Sequence, residues 1–287
     1  MDREVLSDAI AELIKTAVTR LPSDIVRALK KAREIEIEPG KTQLSAILEN
    51  IELADTEKKP ICQDTGTQTF FVRVGANFPY TDILEESILE GVRKATSTVP
   101  LRPNAVDLLT GKNLGNTGKH IPFIHWEITK DDKCEIIAFP KGSGSENMSA
   151  LRMLKPADGL EGAKKFVLEQ MVEAAGNPCP PTVVGVGIGG GADIAMELAK
   201  RSLLRPVGER SDIPEMAKME EEMMRAINST GIGPMGLGGK TTVVDVHVEI
   251  AARHPASLPV GIVVQCWADR RAGMTINAEG DIEWHTI

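Results

Sequence analysis

The spacing of apolar residues along this chain changes repeatedly between a helical and an alternating period. Val5, Ala9, Ile10, Leu13, Ala17 and Val18 recur at helical spacing and predict an opening helix. Pro22 interrupts it, and Ser23 and Asp24 offer caps for a second helix reaching about Arg33. Leu44, Ile47, Leu48 and Ile51 form one stripe and predict a third helix over residues 43–54. Residues 1–58 therefore read as a helical N-terminal segment. A strand is expected over residues 69–74, a helix over 82–96, and loop over 101–116. Two strands follow at 123–129 and 135–139, then a glycine-rich irregular stretch at 141–147 and an amphipathic helix at 160–175.

The second half repeats this mixture. Residues 182–188 predict a strand, 193–204 a helix, and 214–228 a charged, Met-rich helix. Val244, Val246, Val248 and Ile250 alternate with Asp245, His247 and Glu249, the signature of a half-buried strand. Residues 260–264 are a continuous apolar strand, and 274–284 predict a closing hairpin. Strands and helices are interspersed without regular alternation, so the expected class is α/β, with mixed β-sheets flanked by helices. No repeat, low-complexity tract or linker interrupts the chain, which is expected to form a single domain over residues 1–287.

Composition narrows the function classes. The chain has 287 residues, 42% of them apolar, and a formal net charge of -8. That balance suits a packed core and argues against a nucleic-acid surface. No apolar run approaches the roughly 20 residues of a membrane span, and the N-terminus lacks the apolar core of a signal peptide. A cytoplasmic protein is expected. Four cysteines in so long a chain are not a secreted disulfide framework, which leaves free thiols or metal ligands.

Three cysteines stand out by context. Cys62 lies in Ile61-Cys62-Gln63-Asp64-Thr65-Gly66-Thr67, Cys179 in Asn177-Pro178-Cys179-Pro180-Pro181, and Cys266 in Gln265-Cys266-Trp267. Each borders irregular polar or Pro-rich chain, whereas Cys134 has no such setting. The ordinary reading of a lone cysteine is a small buried apolar residue. The alternative is that the three converge on an iron–sulfur cluster with one iron left open. No close C-x-x-C pair supports a zinc ribbon. Gly187, Gly189, Gly190 and Gly191 follow a strand and open a helix, but the dinucleotide spacing fails at Ala192. Gly238-Gly239-Lys240-Thr241 imitates a P-loop, yet the first glycine position is Pro234 and Thr241 opens a strand, so ATP or GTP binding is rejected. Singly, Asp64 reads as a turn residue, Arg102 as a surface cation and His254 as a solvated loop histidine.

Taken in order, several stretches carry a resemblance. They are residues 62–67, Lys141-Gly142-Ser143-Gly144-Ser145-Glu146-Asn147, Gly187-Ile188-Gly189-Gly190, Thr230-Gly231-Ile232-Gly233, Gly238-Gly239-Lys240, and Gln265-Cys266-Trp267-Ala268-Asp269-Arg270-Arg271. From about Thr42 onward the chain resembles the N-terminal, cluster-binding part of class I iron–sulfur fumarate hydratases and the related L-tartrate dehydratases. The resemblance implies that Cys62, Cys179 and Cys266 hold a 4Fe–4S cluster. It also implies that Gln63, Asp64, Arg102, Gly144 and His254 line a dicarboxylate pocket, with Asp64 as general acid and His254 orienting the substrate or the acid. Arg102 suits a carboxylate bidentately, and an open iron suits a departing hydroxyl.

The expected activity is that of a hydro-lyase α subunit interconverting fumarate and malate. L-tartrate dehydration is the nearest alternative, and a non-catalytic iron–sulfur protein the alternative of another class. Single-chain members carry a further C-terminal domain, so a β subunit is expected to supply the catalytic base. Homodimerisation of the α chain is expected as well.

Overall fold

The structure is a computed structural model and describes residues 1–285. In chain order its main elements are α1 (Arg3–Thr19), α2 (Ser23–Ile35), α3 (Gly40–Glu57), β1 (Thr69–Gly75), α4 (Leu84–Thr98), β2 (Ala105–Val106), β3 (Asn113–Gly115), β4 (Phe123–Thr129), β5 (Cys134–Ala138), α5 (Ser143–Glu146), β6 (Ala150–Leu154), α6 (Gly159–Ala174), β7 (Thr182–Gly190), α7 (Ala192–Ser202), α8 (Pro214–Asn228), β8 (Val243–Arg253), β9 (Leu258–Gln265), β10 (Ala272–Ile276) and β11 (Ile282–His285). The helical opening, the mixed sheets and the closing hairpin all match the α/β expectation. Among the described residues no helix is long and apolar enough to cross a membrane.

The chain divides into two compact units. The first comprises Met1–Ser23, Asn50–Ser143 and the stretch from Arg270. Its five-stranded sheet has the order β11-β10-β5-β1-β4, with β4 parallel to β1 and the other pairs antiparallel. Of the helical stripe read at the start of the sequence, Ala9, Ile10, Leu13, Ala17 and Val18 are buried with Ile88 and Val92 of α4 and Phe70 and Ile136 of the sheet, whereas Val5 is exposed. α1 and α4 approach so closely that a Cβ on Gly91 would lie 2.4 Å from Ile10. The stretch expected as loop over 101–116 contains the short hairpin β2–β3. Two- and three-residue strands are too brief to show a period.

The second unit comprises Asp24–Glu49 and Gly144–Asp269, around a four-stranded sheet of order β6-β9-β7-β8. β7 and β8 are parallel; β9 runs antiparallel to both β6 and β7. The glycines of β7 serve packing. A Cβ on Gly185 would stand 2.0 Å from the Ala199 carbonyl and one on Gly187 2.0 Å from the Ala195 carbonyl, so their absence lets α7 lie on the strand. The turn that imitates a P-loop also has an occupant from its own unit. The Lys240 and Thr241 N–H groups donate to the Glu36 carboxylate at 2.7 and 2.8 Å. Burial acts to raise the Glu36 pKa, but these bonds and the Ile37 N–H outweigh it and hold the carboxyl below its ordinary value.

β8 departs from the half-buried pattern, since Asp245 and His247 are fully buried. Their polar face is covered by chain that supplies partners. Asp245 accepts from the Gly208 N–H at 2.7 Å and pairs with Arg210, while His247 Nδ1 lies 3.0 Å from the Ser202 carbonyl. A polar position can be buried when its charge is paired and its hydrogen bonds are made.

Candidate active site

The stretch from Cys62 to Thr67 is pinned from several sides within the first unit. The Ile61 N–H donates to Val18 of α1 at 2.9 Å, and the Asn50 side chain donates to the Ile61 carbonyl at 2.9 Å. Thr67 and Lys141 exchange backbone bonds of 2.9 and 3.0 Å, which brings the glycine-rich segment alongside. Gly66 makes that approach possible: its φ is +82°, and a Cβ there would stand 2.8 Å from the Lys141 nitrogen.

Asp64 is the polar centre of this arrangement. Its Oδ2 accepts from the Ser143 N–H at 2.8 Å and the Ser143 hydroxyl at 3.1 Å, and its Oδ1 accepts from the Gly66 N–H at 3.0 Å. Arg270, buried to within 1% of full enclosure, donates to the Asp64 carbonyl at 2.6 Å. A Cβ on Gly142 would meet both Arg270 and Asp64 at 3.3 and 3.4 Å. Burial works to raise the Asp64 pKa. The Ser143 and Gly66 hydrogen bonds and the Arg270 charge outweigh it, so the group stays ionised well into acid.

Arg102 reaches the same place through Thr65. Its backbone N–H donates to the buried Thr65 hydroxyl at 3.0 Å, which leaves the guanidinium exposed. Asp64, Arg102, Pro103, Asn104, Val106, Asn113 and Ser143 line one open cavity of about 480 Å³. The site thus sets a hydrogen-bonded carboxylate beside an exposed guanidinium, an arrangement suited to a small anion with hydroxyl groups. The sequence expectation joined Asp64 and Arg102, and the cavity holds both. It did not single out Ser143, Asn104, Asn113 or Arg270. Ser143 and Arg270 sit inside the motif stretches, but nothing local shows that they converge on Asp64. Gln63 is exposed on the same stretch.

In the second unit, Cys179 precedes β7 and Cys266 follows β9, so the antiparallel register sets both at one end of the sheet. The Trp267 N–H donates to the Cys179 carbonyl at 3.2 Å, joining the two loops, and Cys179 adopts a left-handed φ of +55°. Gly144 belongs to this end, its nearest neighbour being the Asn177 carbonyl. His254 does not. It follows β8, which runs parallel to β7, and so stands at the opposite end, roughly 25 Å away for a nine-residue strand. It is exposed, and its Nδ1 accepts from the Ala256 N–H at 3.1 Å. The resemblance that suggested His254 carries no information on which sheet end it occupies.

The cysteines differ in setting. Cys62, Cys179 and Cys266 are half-buried in loops, and none forms a disulfide. Cys134 is enclosed in β5, where burial and the nearby Glu135 and Asp131 push its thiol up to about 12. Cys62 in the first unit, and Cys179 and Cys266 at one sheet end of the second, each offer a thiol of the kind that ligates iron–sulfur clusters. Among the described residues, no group of three or more His, Cys, Asp or Glu forms a site for a single metal ion.

The fold and site define a class: an α/β protein with a carboxylate–guanidinium cavity in one unit and three half-buried loop cysteines. Comparison with known proteins narrows it. The family described as Fumarate hydratase (Fumerase) matches residues 7–275, and the chain belongs to that family. A protein of Methanocaldococcus jannaschii provisionally named L(+)-tartrate dehydratase subunit alpha is 54% identical over 273 residues, covering 93% of this chain and 96% of its own. The L(+)-tartrate dehydratase subunit alpha of Escherichia coli K12 is 38% identical over 277 residues, covering 96% of this chain and 91% of its own. That of Shigella sonnei is equally similar.

Proposed function

We propose that this protein is the α subunit of a hydro-lyase that removes water from a small hydroxy-dicarboxylate, with L(+)-tartrate ahead of malate. The observation that carries the reading is the cavity in which the ionised Asp64 faces the exposed Arg102. The tartrate dehydratase names of the relatives favour tartrate over the fumarate–malate pair, which remains the second reading.

In this reading Arg102 binds one substrate carboxylate bidentately. Asp64 starts as a carboxylate and accepts a hydrogen bond from a substrate hydroxyl. To give a proton to a departing hydroxyl, Asp64 must first bind one. The negative charge of a bound dicarboxylate raises its pKa and favours that step. Ser143, Gly66 and Arg270 keep Asp64 oriented. Gln63 and Gly144 complete the substrate contacts. Cys62, Cys179 and Cys266 would hold a 4Fe–4S cluster, which when bound supplies Lewis acidity toward the hydroxyl oxygen. In this reading His254 orients the substrate or the acid, and the α chains pair as a homodimer.

No second residue in the cavity is an obvious base for the C–H proton, and the relatives are named as alpha subunits, so a β subunit completes the site. Cysteines in no disulfide and labile cluster chemistry suit the cytoplasm. The test is anaerobic reconstitution with iron, sulfide and the β subunit, followed by assays on L-tartrate, malate and fumarate. Turnover of L-tartrate by the complex and not by the α chain alone is expected. A cluster-loaded complex that turns over none of the three overturns the reading.

A further inference from the structure

Asn104 is one of two side-chain amides lining the Asp64 cavity, and its orientation is determined by its neighbours. Its Nδ2 donates to the Gly66 carbonyl at 3.1 Å and, more weakly, to Asp64 Oδ1 at 3.5 Å. Both neighbours are acceptors only. A flipped amide would set its oxygen against a carbonyl and a carboxylate, so the NH₂ end must face them. The Asn104 Oδ1 therefore points the other way, and among the described residues it receives no hydrogen bond. The Asn104 backbone is held independently, its N–H donating to Asn116 Oδ1 at 3.1 Å. Asn113, the other amide, is committed at both ends, with Nδ2 on the Pro103 carbonyl and Oδ1 on the Gly115 N–H.

We propose that Asn104 is the specificity-determining residue of the pocket, its Oδ1 accepting a hydrogen bond from the hydroxyl that L-tartrate carries and malate lacks. This rests on the hydro-lyase reading above and assigns its substrate preference to one atom. An amide oxygen accepts hydrogen bonds only, so it repels a carboxylate and welcomes an O–H donor. Arg102, two residues earlier, offers the opposite chemistry and takes the carboxylate. The order cation, then acceptor along residues 102–104 matches the order carboxylate, then hydroxyl-bearing carbon in a 2,3-dihydroxy diacid. In malate one of the two central carbons is a methylene, which leaves the Asn104 oxygen without a donor. A site built around a substrate hydroxyl discriminates strongly against the analogue lacking it.

Asn104 also helps hold Asp64, so loss of activity alone would not separate the two roles. The substrate ratio does. In the cluster-loaded αβ complex, Asn104→Ala is expected to lower kcat/KM for L-tartrate about five- to tenfold more than for malate, a difference of the size of one net hydrogen bond. Asn104→Asp keeps an acceptor oxygen and loses the amide donor, so it should slow both substrates while retaining the tartrate preference. Thermal unfolding gives a readout independent of turnover. L-tartrate should raise the Tm of the wild-type complex more than malate does, and the two ligands should act equally on Asn104→Ala. Equal losses on both substrates in Asn104→Ala, or a wild-type complex with no tartrate preference, would overturn the assignment of Asn104 and leave the hydro-lyase reading standing. A wild-type complex active on neither substrate overturns that reading, and this inference with it.

Discussion

Ser143 grips Asp64 twice, through its N–H at 2.8 Å and its hydroxyl at 3.1 Å, both on Oδ2. The two residues are 79 positions apart, and the grip helps hold the carboxyl below its ordinary pKa. Hydrogen bonds to the charged form lower a carboxyl pKa, and here they prevail over burial. Ser143→Ala removes one donor and keeps the backbone one, so the Asp64 pKa should rise part of the way to its ordinary value. Carboxyl ¹³C titration of the α chain checks this. An unchanged midpoint would show that the hydroxyl contributes nothing.

The thiols should divide by reactivity. Only a thiolate alkylates readily, and Cys134, buried with its pKa pushed up to about 12, stays a thiol under ordinary conditions. In native apo protein, iodoacetamide should modify Cys62, Cys179 and Cys266 and spare Cys134, which reacts only after unfolding. Serine substitution of any of the first three should lower bound iron and sulfide, while Cys134→Ser should not. Mass spectrometry of the labelled peptides and iron analysis give both answers.

Acid sensitivity has a source in β8. Burial acts to raise the Asp245 pKa, but its bonds and charge interactions with His247, the Gly208 N–H and Arg210 prevail and lower it. A carboxyl with a depressed folded-state pKa stabilises the protein above its unfolded value, and that contribution is lost as pH falls through the folded pKa. Urea unfolding from pH 7 toward pH 3 should therefore show falling stability. Asp245→Asn should be less stable at pH 7 and show a shallower slope. A parallel, undiminished slope in Asp245→Asn would place the acid sensitivity elsewhere.

What the sequence made legible was local. Periodicity marked Ile10, Leu13 and Ala17 as one buried stripe and 69–74 as a strand, because those patterns repeat within a few residues. The motifs pointed to Cys62, Asp64 and Arg102. The reach of Arg270 to the Asp64 carbonyl, across 206 residues, has no local signature. Nor did alternation along β8 reveal that Asp245 and His247 would be covered by chain from 202–210, since burial of the second face depends on what packs there. The glycines of β7 looked like a ligand-binding run and instead accommodate α7. His254 was suggested by resemblance alone, and strand direction sets it at the far end of its sheet from Cys179 and Cys266.

The most direct test of the account is the rate of oxaloacetate formation from L-tartrate by the reconstituted αβ complex, compared between wild type and Asp64→Asn at equal iron content. The account predicts that wild type forms oxaloacetate and that Asp64→Asn, with its cluster spectrum intact, loses roughly a hundredfold to ten-thousandfold in kcat, the usual range for a lost acid–base group. Near-wild-type turnover by iron-loaded Asp64→Asn would contradict it, and would reduce Asp64 to a structural carboxylate held by Ser143.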